Sequence, residues 1–588
     1  MGVPPLSEMS AARARGRTGP RWPGVLPVLS LFGAAASLVA IRISSNQGHD
    51  LIAVLMKLGA FFAVLAVVSI VARGFSPAGT AIGARLDAIA AALERHLRGR
   101  RAAGLVAGMM LAYAAAWSVL SILRHQALNS SGFDLAIQHQ VIWNLAHGRG
   151  FAESIEVSNY LGDHVCLTMP VFAPLLWLWN DVRILLIAQS VVLALGAWPL
   201  YRLARRRAGP LEGVIWSAVY LLTPAIGFMN KFDFHEVVLA VPILLAGIDT
   251  VDEGRFGRAA IWLALAAATR EEIGIAVAAM AVGAIFARGR RAWGGIVAIL
   301  ALAWSVFALY WVIPHFRGGI ESDTLARYGW LGGTPSRIAR TLLTRPWALI
   351  LSHYHRVRRV LFPVQLLWPM AGLPLAAPAL AVLALPSLAL SLMSSNISQN
   401  SIFFQYNAPI LPILFWAAVE GSRRLRRSGA SRGWILAGVL FSLLCANWAD
   451  PAAVKSVPRP YAIVDGIRPR PNRAAFARAA RLIPPDAELL AENDLAPHFS
   501  ARTDLHIYNP RKAIPDADWV ILDVTDTRHI DSNLDLACGA IALVTHRGYR
   551  VRFYRDGILV LCRSGEEDPG AVAAFRDHLA GLGLTLSP

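Results

Sequence analysis

Charge is scarce in this sequence, and acid is scarcer than base. Of 588 residues only 16% are Asp, Glu, Lys or Arg while 55% are hydrophobic, and 38 acidic residues face 56 basic ones. A soluble globular chain carries about a quarter charged residues, so this composition excludes an ordinary water-soluble protein. Cysteine is nearly absent: four residues, at positions 166, 445, 538 and 562, have no CxxC spacing, which argues against a zinc ribbon or a disulfide scaffold. Only Cys538 and Cys562 share a polar region, and their spacing leaves pairing open. No convincing small-residue cleavage site follows the first apolar run, so the basic start "MGVPPLSEMSAARARGRTGPRW" reads as a retained cytoplasmic tail. The formal charge of +18 would suit nucleic acid, yet the arginines recur in short clusters between apolar runs. They act as topology signals, and no nucleic-acid partner is expected.

Apolar runs are what the chain has in abundance. A bilayer core of about 30 Å takes roughly 20 apolar residues per helix. On that rule spans are expected near 25–43, 51–72, 103–123, 183–203, 212–229, 236–250, 257–269, 273–288, 293–314, 360–371, 373–394, 407–424 and 432–449, thirteen in all. The segments "ARARGR", "RHLRGRR", "RLARRR", "RGRR" and "RRLRR" all fall on one side when these spans are threaded from a cytoplasmic N-terminus. "ARLDAIAAALERHLRGRR" is expected as a cytoplasmic surface helix, and the proline-broken run 165–180 as interfacial or re-entrant. The expected fold is therefore mainly α, a polytopic transmembrane bundle with interfacial helices.

After Asp450 the character changes. "VPRPYAIVDGIRPRP" reads as a linker, and "AELLAE", "DLHIY", "WVILDV" and "YRVRFYRDGILVLCRS" read as strands around helix-like segments. This predicts a small extracytoplasmic α/β domain without a glycine-rich phosphate loop. The expected organisation is 1–102 for the tail, a two-span extension and a cytoplasmic helix, 103–450 for the main bundle with its outer loops, and 451–588 for the linker and α/β domain.

Polar residues collect on the outer side of this threading. Asp134 stands in "SSGFD" ahead of apolar residues at helical spacing, which fits helix capping; a carboxylate there can equally orient and deprotonate a hydroxyl. "GDH" adds Asp163 and His164, either solvated loop residues or, with Asp134, a carboxylate pair beside an imidazole. "NKFDFHE" packs Lys231, Asp233, His235 and Glu236 into one turn. "ATREEIGIA" puts Arg270, Glu271 and Glu272 between two short apolar runs, where a local ion pair or a site for an anionic headgroup would explain the charges. The outer stretch from His315 is arginine-rich and ends in "SHYHRVRR", with His353, His355 and Arg356 at the depth of lipid phosphates. Gln405 and Tyr406 begin a later span at the interface. No motif with metal-ligand spacing occurs; a divalent ion is compatible with these residues and not required by them.

These pieces in this order, Phe133–Phe151, Gly162–His164, Phe232–Glu236 and Arg270–Glu272, resemble the bacterial membrane-protein family termed domain of unknown function 2079. More remotely the layout is similar to the glycosyltransferase C (GT-C) superfold, with an acid in the first large outer loop, interfacial helices, a basic turn between short helices and a soluble tail domain. The resemblances imply a place in the inner (plasma) membrane of a bacterium, transfer of a sugar from a polyprenyl-phosphate carrier with inversion, Asp134 as the base on the acceptor, and Arg270 with the basic outer loop holding the carrier phosphate. A transporter or flippase of a small or lipid-linked substrate, and a non-catalytic envelope-assembly scaffold, are the other readings.

Overall fold

The computed structural model describes residues 77–318, 326–345, 347, 356–448, 466–509, 514–525 and 533–586. The two expected spans before residue 76, the linker up to 465, and His353 and His355 lie outside the described residues. The described chain is mainly helical, with one small sheet. Helix α1 (Pro77–His96) is followed by α2 (Arg101–Gln126) and, after a polar connection, α3 (Ile137–Ala146). Then come α4 (Arg183–Leu195), α5 (Ala197–Ala208), α6 (Pro210–Leu222), α7 (Pro224–Lys231), α8 (Ala240–Asp252), α9 (Phe256–Ala267), α10 (Ile273–Arg288) and α11 (Arg291–Phe307). Helices α12 (Arg356–Leu367), α13 (Leu385–Met393), α14 (Leu411–Arg427) and α15 (Arg432–Trp448) complete the bundle.

Three described helices are long and apolar enough to cross a membrane, Arg101–Gln126, Arg183–Ala208 and Arg291–Phe316. A fourth results if α6 and α7, bent by 44° at the Thr223–Pro224 step, count as one span. The other apolar helices are shorter, 10–17 residues, so the expected thirteen crossings are not established by length and composition. The reason is visible in the sequence: Pro224, Pro363, Pro374 and Pro378 interrupt apolar runs that a hydropathy count reads as continuous. The stretch 165–180 folds as a short helix, Met169–Leu178, with Val171, Trp177 and Leu178 strongly exposed.

The two ends of the bundle differ chemically. At one end the arginines of "RLARRR" and "RRLRR" meet buried or partly buried acids: Arg206 reaches Asp249 at 2.5 Å, Arg207 pairs with Asp252, and Arg423 with Glu420 at 2.8 Å. Glu212, at the start of α6 and fully buried, holds Arg426 at 2.6 Å and Arg432 at 2.5 Å, and Arg432 also pairs with Glu94 of α1. The two basic segments "RLARRR" and "RRLRR", far apart in the sequence, thus converge at one end. The opposite end carries the polar motifs.

The C-terminal region forms a five-stranded sheet of order β2-β1-β3-β5-β4, with β1 (Leu489–Ala491), β2 (Leu505–Ile507), β3 (Trp519–Asp523), β4 (Arg550–Arg555) and β5 (Ile558–Cys562). β1 runs parallel to β2 and β3, while β5 is antiparallel to β3 and β4. Asp556 and Gly557 close the β4–β5 hairpin with φ of 48° and 86°, the pattern that Asp-Gly adopts in tight hairpins. One face, including Leu490, Val520 and Leu559, packs on helices 533–547 and 569–581. The other face, Leu489, Leu505, Ile507 and Val560, packs on Phe476 and on Leu128 and Ala136 of the bundle. Burial on both faces accounts for the uninterrupted apolar run "WVIL" of β3. All four cysteines are free, Cys538 exposed and Cys562 buried.

Replacing Glu212 by alanine leaves two guanidinium groups without their buried partner. It is expected to destabilise the bundle by about 3 kcal/mol, read as a lowered thermal unfolding midpoint of the detergent-solubilised protein.

Candidate functional site

Asp134 lies in a π-helical turn, Gly132–Ala136, that leads into α3. "Ser131-x-x-Asp134" has the form of a capping box, but the carboxylate does not cap. Ser131 makes no side-chain cap, the N–H groups of Gly132 and Phe133 donate to Asn493 Oδ1 at 2.9 and 3.3 Å, and the N–H of Ser131 donates to Asp233 Oδ2 at 2.7 Å. With those amides satisfied elsewhere, Asp134 Oδ1 stands 3.0 Å from His235 Nε2. Asp134 keeps 26% of its side chain exposed against 4% for His235, so it is the carboxylate that faces the open space. Burial pushes the Asp134 pKa up, but the hydrogen bond and charge of His235, the Ser131 hydroxyl and Arg124 outweigh it and hold the acid below its ordinary value. Burial likewise opposes charge on His235, and Asp134 overcomes it, so the imidazole is raised.

The turn that delivers His235 is clamped from two sides. Asp233, buried and at φ 38°, pairs with Arg124 at the end of α2 at 2.6 Å. Gln189 of α4 donates to the Asp233 carbonyl at 2.6 Å and accepts the N–H of His235 at 2.9 Å. Asp233 is therefore committed to the scaffold, and burial raises its pKa despite Arg124. Lys231 ends α7, half-buried. Glu236 points the other way, toward Arg270 Nη1 at 3.7 Å, with both carboxyl oxygens buried and without a hydrogen-bond partner.

Arg270 heads a second constellation. Its guanidinium abuts His164 Nε2 and reaches Glu272 at 3.2 Å. His164 Nδ1 meets Glu271 at 2.9 Å, and the N–H of Val165 donates to the same carboxylate at 3.0 Å. Asp163 lies 3.6 Å from His164 and 3.9 Å from Arg317. Burial resists charge on Glu271, yet His164 and Arg270 bring it down to about 2. Glu272 goes the opposite way: burial, and repulsion by Glu271 against the pull of Arg270, push it up to about 7. Burial and Arg270 oppose protonation of His164, but Asp163 and Glu271 raise it to about 8. Glu271 and Glu236 are almost fully buried, whereas Glu272 keeps 31% of its side chain exposed.

Tyr406 connects the two groups. Its phenol is raised by burial and feels Arg270, Arg327, Asp134 and Glu272, so it sits within electrostatic range of both constellations. The neighbouring Phe404 packs edge-on against Phe232 at 4.6 Å, and Phe232 stacks on His235 at 5.3 Å. Gln405 is buried with Oε1 unpartnered. Arg356 begins α12. Among the described residues no three His, Cys, Asp or Glu side chains are arranged to hold a metal ion. The sequence reading missed Arg124, Gln189 and Asn493 as parts of this end. Arg124 carried a signal, a cation closing an apolar helix at the polar end; Gln189, inside an apolar helix, carried a weaker one.

No curated protein matches this sequence. Among solved structures, ArnT from Cupriavidus metallidurans in the apo state is similar with a TM-score of 0.47 and 12% identity, over 78% of this chain and 98% of that one. The same protein bound to undecaprenyl phosphate gives a TM-score of 0.46 and 12% identity, over 79% and 99%. The family described as "Predicted membrane protein (DUF2079)" matches residues 124–560, a span that runs from Arg124 through both constellations and into β5. The chain thus belongs to the DUF2079 family of predicted membrane proteins.

Proposed function

We propose that this protein is a membrane glycosyltransferase that moves a sugar from a polyprenyl-phosphate carrier to an acceptor hydroxyl, with inversion. The observation that carries the reading is Asp134: an ionised carboxylate released from capping, braced by His235, partly open, and at the same end of the bundle as Arg270. The acceptor oxygen attacks the anomeric carbon as the bond from that carbon to the phosphate oxygen breaks; the acceptor proton passes to Asp134 and the electron pair leaves with the lipid phosphate. An oxocarbenium-like centre needs only a modest base, because the hydroxyl acidifies as the new bond forms, and a low-pKa carboxylate suffices. His235 keeps the carboxylate aimed and offsets its charge.

The leaving phosphate needs cations, and Arg270 is the central one. It is held by carboxylates, so the phosphate must displace one of them. Glu272 is the group suited to leave, being more exposed than Glu236 and Glu271 and raised to about 7, so that a substantial fraction is protonated near neutral pH. Glu271 holds His164 and the start of the following segment, and with Asp163 keeps the imidazole against the guanidinium, so these three act through Arg270. Lys231, His353, His355 and Arg356 add basic character for the phosphate and for anionic lipid, and Gln405 and Tyr406 offer polar contacts to the sugar. The prenyl tail stays in hydrocarbon while its phosphate meets this end of the bundle, opposite the arginine-rich end. The positive-inside rule supports a site and a C-terminal domain outside the cytoplasm. A transporter is the second reading, favoured by the fully buried, unbonded carboxylate of Glu236.

Asp134→Asn should lower sugar transfer from radiolabelled polyprenyl-phosphate sugars by about 100-fold or more, while the unfolding midpoint stays at the wild-type value; unchanged turnover in this variant removes the enzyme reading. Undecaprenyl phosphate serves as the binding probe for Arg270. With Glu272 near 7, protonation below that pH frees Arg270 and ionisation above it re-engages the guanidinium, so affinity falls as pH rises from 6 to 8. Glu272→Gln should bind about tenfold tighter than wild type at pH 8 and equally at pH 6, since only about a tenth of the wild type is then competent. The phosphate's own titration is common to both proteins and cancels in the ratio.

A further inference from the structure

The bundle and the C-terminal domain meet at the first turn of the helix that carries Asp134. A helix starts with unsatisfied N–H groups, normally capped by a side chain of its own N-terminal residue. Here Ser131 provides no such cap, and the acceptor comes from a residue 361 positions away, Asn493. The orientation of that amide is fixed by its other end. Asn493 Nδ2 donates to Asp494 Oδ1 at 3.0 Å, and Asp494 is paired with Arg470, which reaches Asp523 of β3 at 3.3 Å. Oδ1 is thereby left for Gly132 and Phe133. The approach is too close for any side chain at Gly132, where a Cβ would stand 2.7 Å from Ile507 Cδ1 and 2.9 Å from the Asn493 carbonyl oxygen.

In a capping box the carboxylate three residues after the N-cap folds back onto the N-cap residue's own N–H. Asp134 does not, because Asp233 takes that N–H of Ser131, while Asn493 takes the next two and so fixes the turn that carries the carboxylate. We infer that Asn493 is a positioning residue for Asp134: the C-terminal domain caps this helix in trans and so keeps the carboxylate directed at His235 and the open side of the site. Its catalytic consequence rests on Asp134 being the base proposed above; the capping does not. The C-terminal domain is then part of the apparatus that aims the acid.

Two variants of the full-length protein test this. Asn493→Ala removes the cap. Gln140→Ala removes hydrogen bonds to the carbonyls of Arg502 and Thr503, at 3.0 and 2.8 Å, and so weakens the same junction without touching the cap. Hydrogen exchange of the segment 131–136 should accelerate about tenfold in Asn493→Ala, as loss of a cap predicts, and stay near wild type in Gln140→Ala. Sugar transfer by Asn493→Ala should lose about 10- to 100-fold in kcat with KM for the lipid-linked donor within twofold, and Gln140→Ala should keep its kcat. Unchanged exchange in Asn493→Ala, or an equal fall of kcat in both variants, overturns the inference. A wild type inert toward every lipid-linked sugar defeats the enzyme reading alone; exchange then decides the capping, upheld if only Asn493→Ala accelerates and overturned if both or neither do.

Discussion

The Arg124–Asp233 ion pair sets the geometry of the polar end. Asp233 holds a left-handed backbone conformation that costs a non-glycine residue about 1 kcal/mol or more, and three neighbours sustain it: Arg124, the N–H of Ser131 and Gln189. Because the carboxylate is buried, removing the guanidinium would leave an uncompensated charge, so the turn is specified rather than merely permitted. From that turn His235 is aimed at Asp134 and Glu236 at Arg270. One short connection between helices thus supplies a member to each constellation.

Ion pairs at the two ends of the bundle have different consequences. At the arginine-rich end each buried acid meets at least one arginine at close range, and Glu212 meets two. Such an arrangement is already satisfied and gains little from a ligand. At the other end Asp163, Glu236, Glu271 and Glu272 surround Arg270, Arg317 and His164, and Glu236 has no hydrogen bond at all. Carboxylates crowded in a low dielectric cannot all stay ionised, and the most exposed of them, Glu272, is the one whose pKa rises toward neutrality. A guanidinium ringed by an excess of acid is a poor anion site until one acid is neutralised. The crowding makes that neutralisation easy.

Much of the architecture was legible in the chain. Long apolar runs marked the helices, arginine clusters marked one common end, and short strand-like apolar runs marked the C-terminal sheet. The motifs "FD", "GDH", "FDFHE" and "REE" were legible as chemistry, because acids, imidazoles and guanidinium groups beside apolar runs require partners. What they partner was not. "Ser131-x-x-Asp134" reads as a local capping box, and the local reading failed because Asp233 and Asn493, distant in sequence, compete for the same amides. Nothing in "AENDLAP" marks Asn493, since an asparagine after a short strand is ordinary turn chemistry until the bundle is placed against it. Crossing number was equally opaque, because prolines break runs whose mean hydropathy is uniform.

The shared core constrains how the C-terminal domain can take part. One face of its sheet is covered by its own helices, but the other is completed by Leu128 and Ala136, which flank the turn bearing Asp134. Swinging the domain away as a free lid would expose Leu505, Ile507 and Val560 to water and uncap Gly132 and Phe133 in the same movement. Hydrophobic burial and capping therefore favour the same docked state, and each penalises opening independently of the other. With the domain docked, Asp134 and Glu272 still keep 26% and 31% of their side chains exposed, so the proposed site does not need the domain to open. On the proposed reading, a carrier whose tail lies in the bilayer meets Arg270 while the helix bearing Asp134 stays fixed by the C-terminal domain.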